Sequence, residues 1–140
     1  MTDTTQPTST ITPPPGFSWK DREINENGKN VTGFEVTYKA AGEEHTVFFV
    51  DRLPLSKSIA ATEIFGTPNT ERGALALSAA IRMDTFDGVP TAEIKNRRSI
   101  DVAMDRLDEE GLGAFICALI ERSKTTAGNQ AEQDVDTAGN

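Results

Sequence analysis

The sequence holds one cysteine, Cys117, and one histidine, His45, among 140 residues. A single thiol excludes an internal disulfide. One Cys and one His leave too few ligands for a zinc centre of the usual Cys/His type. Any Ser-His-Asp or Cys-His arrangement would have to use His45. That residue heads an expected strand beside Glu44 and reads as an exposed polar side chain. Cys117 lies among Phe115, Ile116, Ala118 and Leu119 and reads as a buried, inert thiol. No apolar run approaches the roughly 18–20 residues that span a bilayer. Neither a Gly-x-Gly-x-x-Gly fingerprint nor a phosphate-cradling loop occurs. Cations are scarce: fourteen Lys+Arg face twenty-two Asp+Glu, a net charge of -8. That balance argues against nucleic acid as the main partner, since phosphate binding rests on clustered cations. Asp101, Asp105, Asp108, Glu109 and Glu110 crowd one expected helix, interleaved with Arg98 and Arg106. They lack the spacing of a calcium loop and read as a solvated, salt-bridged face. No catalytic, cofactor or metal residue is assigned, and the chain reads as a non-enzyme.

What is present fits one small soluble domain with tails. The hydrophobic fraction is 36% and the mean hydropathy is -0.42. Residues 1–16 are rich in Thr and Pro, with Pro13, Pro14 and Pro15 in a row. Residues 124–140 are polar and lack aromatics. Neither tail offers enough apolar surface to offset ordering entropy, so both are expected to be disordered, leaving a folded unit at 17–123. The N-terminus has no basic n-region and no apolar h-region, so no secretory signal is expected. With the lone thiol, that suits a reducing cytoplasm.

The fold class read from the pattern is α+β. Phe34, Val36 and Tyr38 alternate with polar residues, Gly42 sits in a turn, and His45 to Val50 resumes. These make an N-terminal β-hairpin, with a third strand available from Phe17 to Ile24. Three to four short helices follow. Leu55 to Phe65 places Leu55, Ile59 and Thr62 on one face. Asn69 or Thr70 caps a helix from Glu71 to Met83, and Asp87-Gly88-Val89-Pro90 is a turn. Asn96 caps Arg97 to Glu110, with Ile100, Ala103, Met104 and Leu107 at amphipathic spacing. Gly111 ends it, and Leu112 to Arg122 forms a last helix joined by a hairpin or a kink at Gly111 and Gly113. Trp19 and Phe17 are expected to pack on the hairpin.

The stretch from Ala79-Ala-Ile through Asp87-Gly88-Val-Pro90, then Asn96-Arg97 and Leu107-Asp-Glu-Glu-Gly111, resembles the small tail assembly chaperones of long-tailed bacteriophages. The likeness covers about residues 33–122. It implies a non-enzymatic protein of the host cytoplasm that is absent from the mature virion. Its partners would be the long helical tape measure protein, the tail tube protein and a frameshifted longer form of itself, with no nucleic acid and no membrane. Helix-in-groove recognition needs an apolar surface, and the candidates are Ile100, Met104, Leu107, Phe115 and Leu119. A net charge of -8 would favour a basic client. Two other readings stand beside this one. The first is a structural virion component, a minor tail or head–tail joining protein. The second is a small acidic inhibitor of a host protein.

Overall fold

In a computed structural model, which describes residues 12–26, 28–91 and 93–138, three tight turns organise a sheet. Strands β1 (Ser18–Glu26) and β2 (Lys29–Ala40) meet at Gly28. β2 and β3 (Glu43–Val50) are joined by Ala41 and Gly42, both at positive φ (53° and 82°). Asp87 and Gly88, at 53° and 82°, join β4 (Met83–Phe86) to β5 (Val89–Pro90). Two central residues at positive φ make the hairpin turn whose twist matches that of the strands. The five strands lie in the order β1-β2-β3-β4-β5, all antiparallel. Between β3 and β4 the chain forms helices α1 (Leu55–Phe65) and α2 (Glu71–Arg82), and α3 (Arg97–Ala138) follows β5.

The α+β class and the early strands match the sequence reading. The sheet has five strands, however, not a hairpin with a third strand. Met83 begins β4 instead of ending a helix, and the turn at 87–88 closes a third hairpin, with Val89 and Pro90 in its second strand. β4 is four residues long, too short to show a period of its own, and its pairing with Val47, Phe48 and Phe49 comes from far away in sequence. Such pairing is set by neighbours, not by local preference.

Three helices replace the expected three to four. The Thr70 hydroxyl accepts a bond from Gly73 N at 2.9 Å, and Asn96 Oδ1 accepts one from Ser99 N at 3.0 Å, so both caps form. α3 breaks at Asp108 (φ 56°, ψ -165°), not at Gly111 or Gly113. Gly111 serves a different need. A Cβ there would lie 2.8 Å from the Tyr38 hydroxyl and 2.9 Å from Leu107, so only glycine lets α3 lie this close to β2.

Both tail boundaries also move. Phe17 N donates to Pro14 O at 3.2 Å and Lys39 N to Pro15 O at 2.7 Å, so the chain is tied to β2 before residue 17. Residues 1–11 lie outside the described residues. The polar segment from 124, expected to be disordered, continues α3 to Ala138. It has no proline, and Lys124, Gln130, Ala131, Glu132 and Gln133 are good helix formers. Extending a formed helix is easier than nucleating one.

Alternation along β2 and β3 sends Phe34, Val36, Tyr38, Val47 and Phe49 to the inner face, where they pack with Met83, Phe86, Leu107, Leu112 and Phe115. The Phe115 ring lies 4.7 Å from Phe49 and 5.9 Å from Phe34. Phe17 and Trp19 pack against the same core, and Trp19 Nε1 donates to Glu121 Oε1 at 2.8 Å. A second cluster joins Ala61, Leu77, Ile81 and Ile100 beneath the helices.

Tyr38 is fully buried, and its hydroxyl has no hydrogen-bond partner among the described residues. Burial first, then the charges of Asp87, Glu110 and Asp108, pushes its pKa up to about 12. It is the only tyrosine. Absorbance at the phenolate band should therefore show one late ionisation. The folded pKa lies above the unfolded one, about 10, so the neutral form favours the fold. Stability should fall as pH rises from about 10 towards 12. A phenolate appearing near pH 10 in folded protein would contradict this.

Candidate functional site

The residues expected to contact a client are mostly inside. Ile100 and Phe115 are fully buried and Leu107 nearly so, while Met104 and Leu119 are half-buried. Ile100, Leu107 and Phe115 are therefore not an exposed groove. The two apolar stripes of α3 are consumed by the inner face of the sheet and by α2.

An unsatisfied apolar face lies instead on α1. Leu55 is 75% exposed and Ile59 48% exposed, one helical turn apart. The sequence reading places these residues on one face of the helix. That face turns outward, with Ala61 buried and Ile64 and Phe65 packed against the second cluster. Ile64 and Phe65 bury more surface than Leu55 could, and the Arg97 guanidinium lies 4.2 Å from the Phe65 ring centre. Lys57 is half-buried on the inward side, where burial lowers its pKa and the charge of Asp84 partly offsets this. The signal was present in the sequence. Leu55, Ile59, Ala60, Ala61, Ile64 and Phe65 are apolar on more than one face, so one face had to be left over.

Leu55 also forms part of a cleft of about 840 Å³. β3 ends where Val50 pairs with Gly33, yet β2 runs on with only β1 beside it. The β1–β2 tip thus projects as a two-stranded arm, anchored by Asp51 N donating to Thr32 O at 3.0 Å. Val31 and Thr32 form one wall of the cleft, and Leu53, Pro54 and Leu55 form the other.

The cleft carries charge. Arg122 clamps Asp51 with both terminal nitrogens, one to Oδ2 at 2.9 Å. Its Nε donates to Asp21 Oδ1 at 2.7 Å, and its guanidinium lies 5.1 Å from the Phe34 ring centre. Bonding to Arg122, ahead of opposing burial, holds the Asp51 carboxyl below its ordinary value. Arg82 Nη1 donates to the carbonyls of Val50, at 3.1 Å, and Asp51. Arg82 has no carboxylate partner among the described residues, and Arg52 is exposed and has none among them either. The lining therefore holds two cations without a carboxylate of their own and one carboxylate that is already neutralised.

Arg122 ties β1, the cleft and α3 together, and the sequence reading did not single it out. Arg122→Met should cost about 1 kcal/mol at neutral pH, since the pair is partly exposed. Asp51 has a depressed folded pKa, so its contribution is present at neutral pH and is lost as pH falls through that value. Acid unfolding should be less steep in the variant. Equal stability and equal acid profiles would show that the clamp does little.

His45 is not simply an exposed polar residue. Its Nδ1 lies 2.8 Å from Asp87 Oδ2, while Thr46 N donates to Asp87 Oδ1 at 2.8 Å. Its ring lies between Tyr38, at 5.7 Å, and Phe86, at 5.1 Å. This pair holds the β4–β5 turn against β3. Cys117 is buried, and burial pushes its thiol pKa up, as a structural cysteine requires. The α3 carboxylates are dispersed, with Asp101 3.3 Å from Arg97 and Glu109 paired to Arg72. Among the described residues no three His, Cys, Asp or Glu side chains converge as a metal site, and no helix is long and apolar enough to cross a membrane. Comparisons of the chain with protein-family models, with curated proteins and with solved structures found no match.

Proposed function

We propose that this chain is a non-enzymatic assembly factor of the phage tail chaperone type, holding a helical segment of a tape measure protein on its α1 face. The observation that supports this reading is the outward pair Leu55 and Ile59 beside an open cleft. Residues one turn apart on a helix form a ridge that fits between the ridges of a second helix. Scattered single apolar side chains in water are ordinary, whereas adjacent ones beside a cleft form a patch of the kind that partners cover. In this reading the chaperone acts in the host cytoplasm and recruits tail tube subunits, and a longer frameshifted form of it shares the same domain.

The test is an affinity capture from cells expressing the tail genes in their native order, read by mass spectrometry. The tape measure protein should co-purify with the wild-type chain. It should be lost with Leu55→Gln and Ile59→Gln together, which change exposed positions and leave the core intact. Capture that survives the double substitution moves the client to another face.

A second reading, a structural virion component, is favoured by β1. This strand has nine residues and only β2 beside it, so one edge is open to strand addition. Finding the chain in purified, assembled particles would decide for it.

A further inference from the structure

The net charge of -8 suggests a basic client, but the cleft has the opposite local character. Arg52 and Arg82 line it, and Arg122 neutralises the one carboxylate there, Asp51. The first turn of α1, which borders the same cleft, carries no acidic residue, so the positive end of that helix is also uncompensated. Beside these cations stand Val31, Leu53, Pro54 and Leu55, with Ile59 one turn along. An occupant that complements both features needs large apolar side chains on one stripe and carboxylates along its flank. A basic segment would meet Arg52 and Arg82 directly, and like charges in a partly desolvated cleft oppose binding.

We infer that the α1 cleft selects an acidic amphipathic helix in a protein partner. This rests on reading α1 as the partner-binding face, and it adds which kind of helix is chosen. The apolar stripe packs over Leu55 and Ile59, and a carboxylate near one end of the partner helix reaches Arg52. The expected client segment is thus acidic, although the chaperone itself is acidic.

The test uses the full-length, isotope-labelled chain and two synthetic helical peptides of about 18 residues, long enough to hold a helix. Both carry Leu at positions one turn apart; one is flanked by Glu and the other by Lys. The Glu peptide should bind at least about tenfold more tightly, a difference of about 1.4 kcal/mol. Its shifts should centre on Val31 and residues 52–59, and added salt should weaken it. Arg52→Glu should reverse or abolish the preference, and Leu55→Gln should weaken both peptides. Equal binding of the two peptides, tighter binding of the Lys peptide, or shifts confined to other faces would overturn the inference. The two readings fail separately. If the tape measure protein is captured through α1 but the Lys peptide wins, the charge preference falls and the chaperone reading stands. If the Glu peptide binds as expected but no tape measure protein is captured, the site stands and its client is another acidic helix.

Discussion

Gly33→Ala should be among the most destabilising single substitutions in this protein, costing about 3 kcal/mol or more. A Cβ on Gly33 would lie 2.0 Å from the carbonyl oxygen of Phe49 and 3.0 Å from the Phe48 ring. The first contact is with backbone, which no side-chain rotation relieves. β2 and β3 would have to part at the end of their pairing, next to the Phe34–Phe49 pair whose rings both meet Phe115. Phe48 explains why the site is glycine. It points to the face of the sheet away from α3, yet it is 1% exposed, lying across Gly33 with the Arg22 guanidinium 5.5 Å from its ring centre. The missing side chain is the space the ring occupies. Denaturant unfolding of the variant should show a lower midpoint. A midpoint within error of wild type would mean that β2 and β3 can separate here freely.

Gly111→Ala should have an effect of similar size, although alanine is the better helix former by about 1 kcal/mol. The added methyl would meet Tyr38 Oη at 2.8 Å and Leu107 at 2.9 Å, so α3 must lift off the sheet. Gly113 is the internal control. A Cβ there meets only Pro14 Cδ, at 4.0 Å, so Gly113→Ala should raise stability by up to about 1 kcal/mol. The Tyr38 hydroxyl supplies a further check. It is buried without a hydrogen-bond partner among the described residues, so Tyr38→Phe should be neutral or stabilising. It also removes the oxygen nearest the new methyl, so Gly111→Ala should cost less when combined with Tyr38→Phe. Two residues in contact couple in this way, and a double-mutant cycle measures it. Additive effects would place the strain at Leu107 alone.

Much of the scaffold was legible because its signals are local. The strands around Phe34–Tyr38 and Val47–Val50, the span of α1 and the caps at Thr70 and Asn96 follow from period and chemistry over a few residues. β4 is hidden from local pattern because it exists through pairing with β3, more than thirty residues earlier, and β5 is a two-residue strand that pairs only with β4. Gly111 reads as a helix stop because its contact with Tyr38 lies across the fold, while the break falls at Asp108, whose φ of 56° and ψ of -165° lie in a region that glycine, not aspartate, ordinarily occupies. The candidate site was legible only in part. The apolar stripe of Leu55 and Ile59 was visible, but which face of α1 turns inward depends on Phe65, Ala61 and the cluster beneath them. The Arg122–Asp51 clamp joins residues seventy-one apart, beyond the reach of any local pattern.

The charge pattern of β1 bears on what this protein does when crowded. Lys20 and Arg22 lie on one face of the strand, where both pair with Glu35; Asp21, bonded to Arg122, and Glu23 lie on the other. Two copies joined edge to edge through antiparallel β1 strands keep their faces aligned, so cations would oppose cations on one side and carboxylates oppose carboxylates on the other. The far edge is closed differently, by a two-residue strand ending in Pro90. Neither border is a ready template for a second copy, so edge-to-edge growth of the sheet is disfavoured at both ends. Neighbouring copies can then stand side by side without fusing, and a strand that joins β1 is expected to come from a different chain.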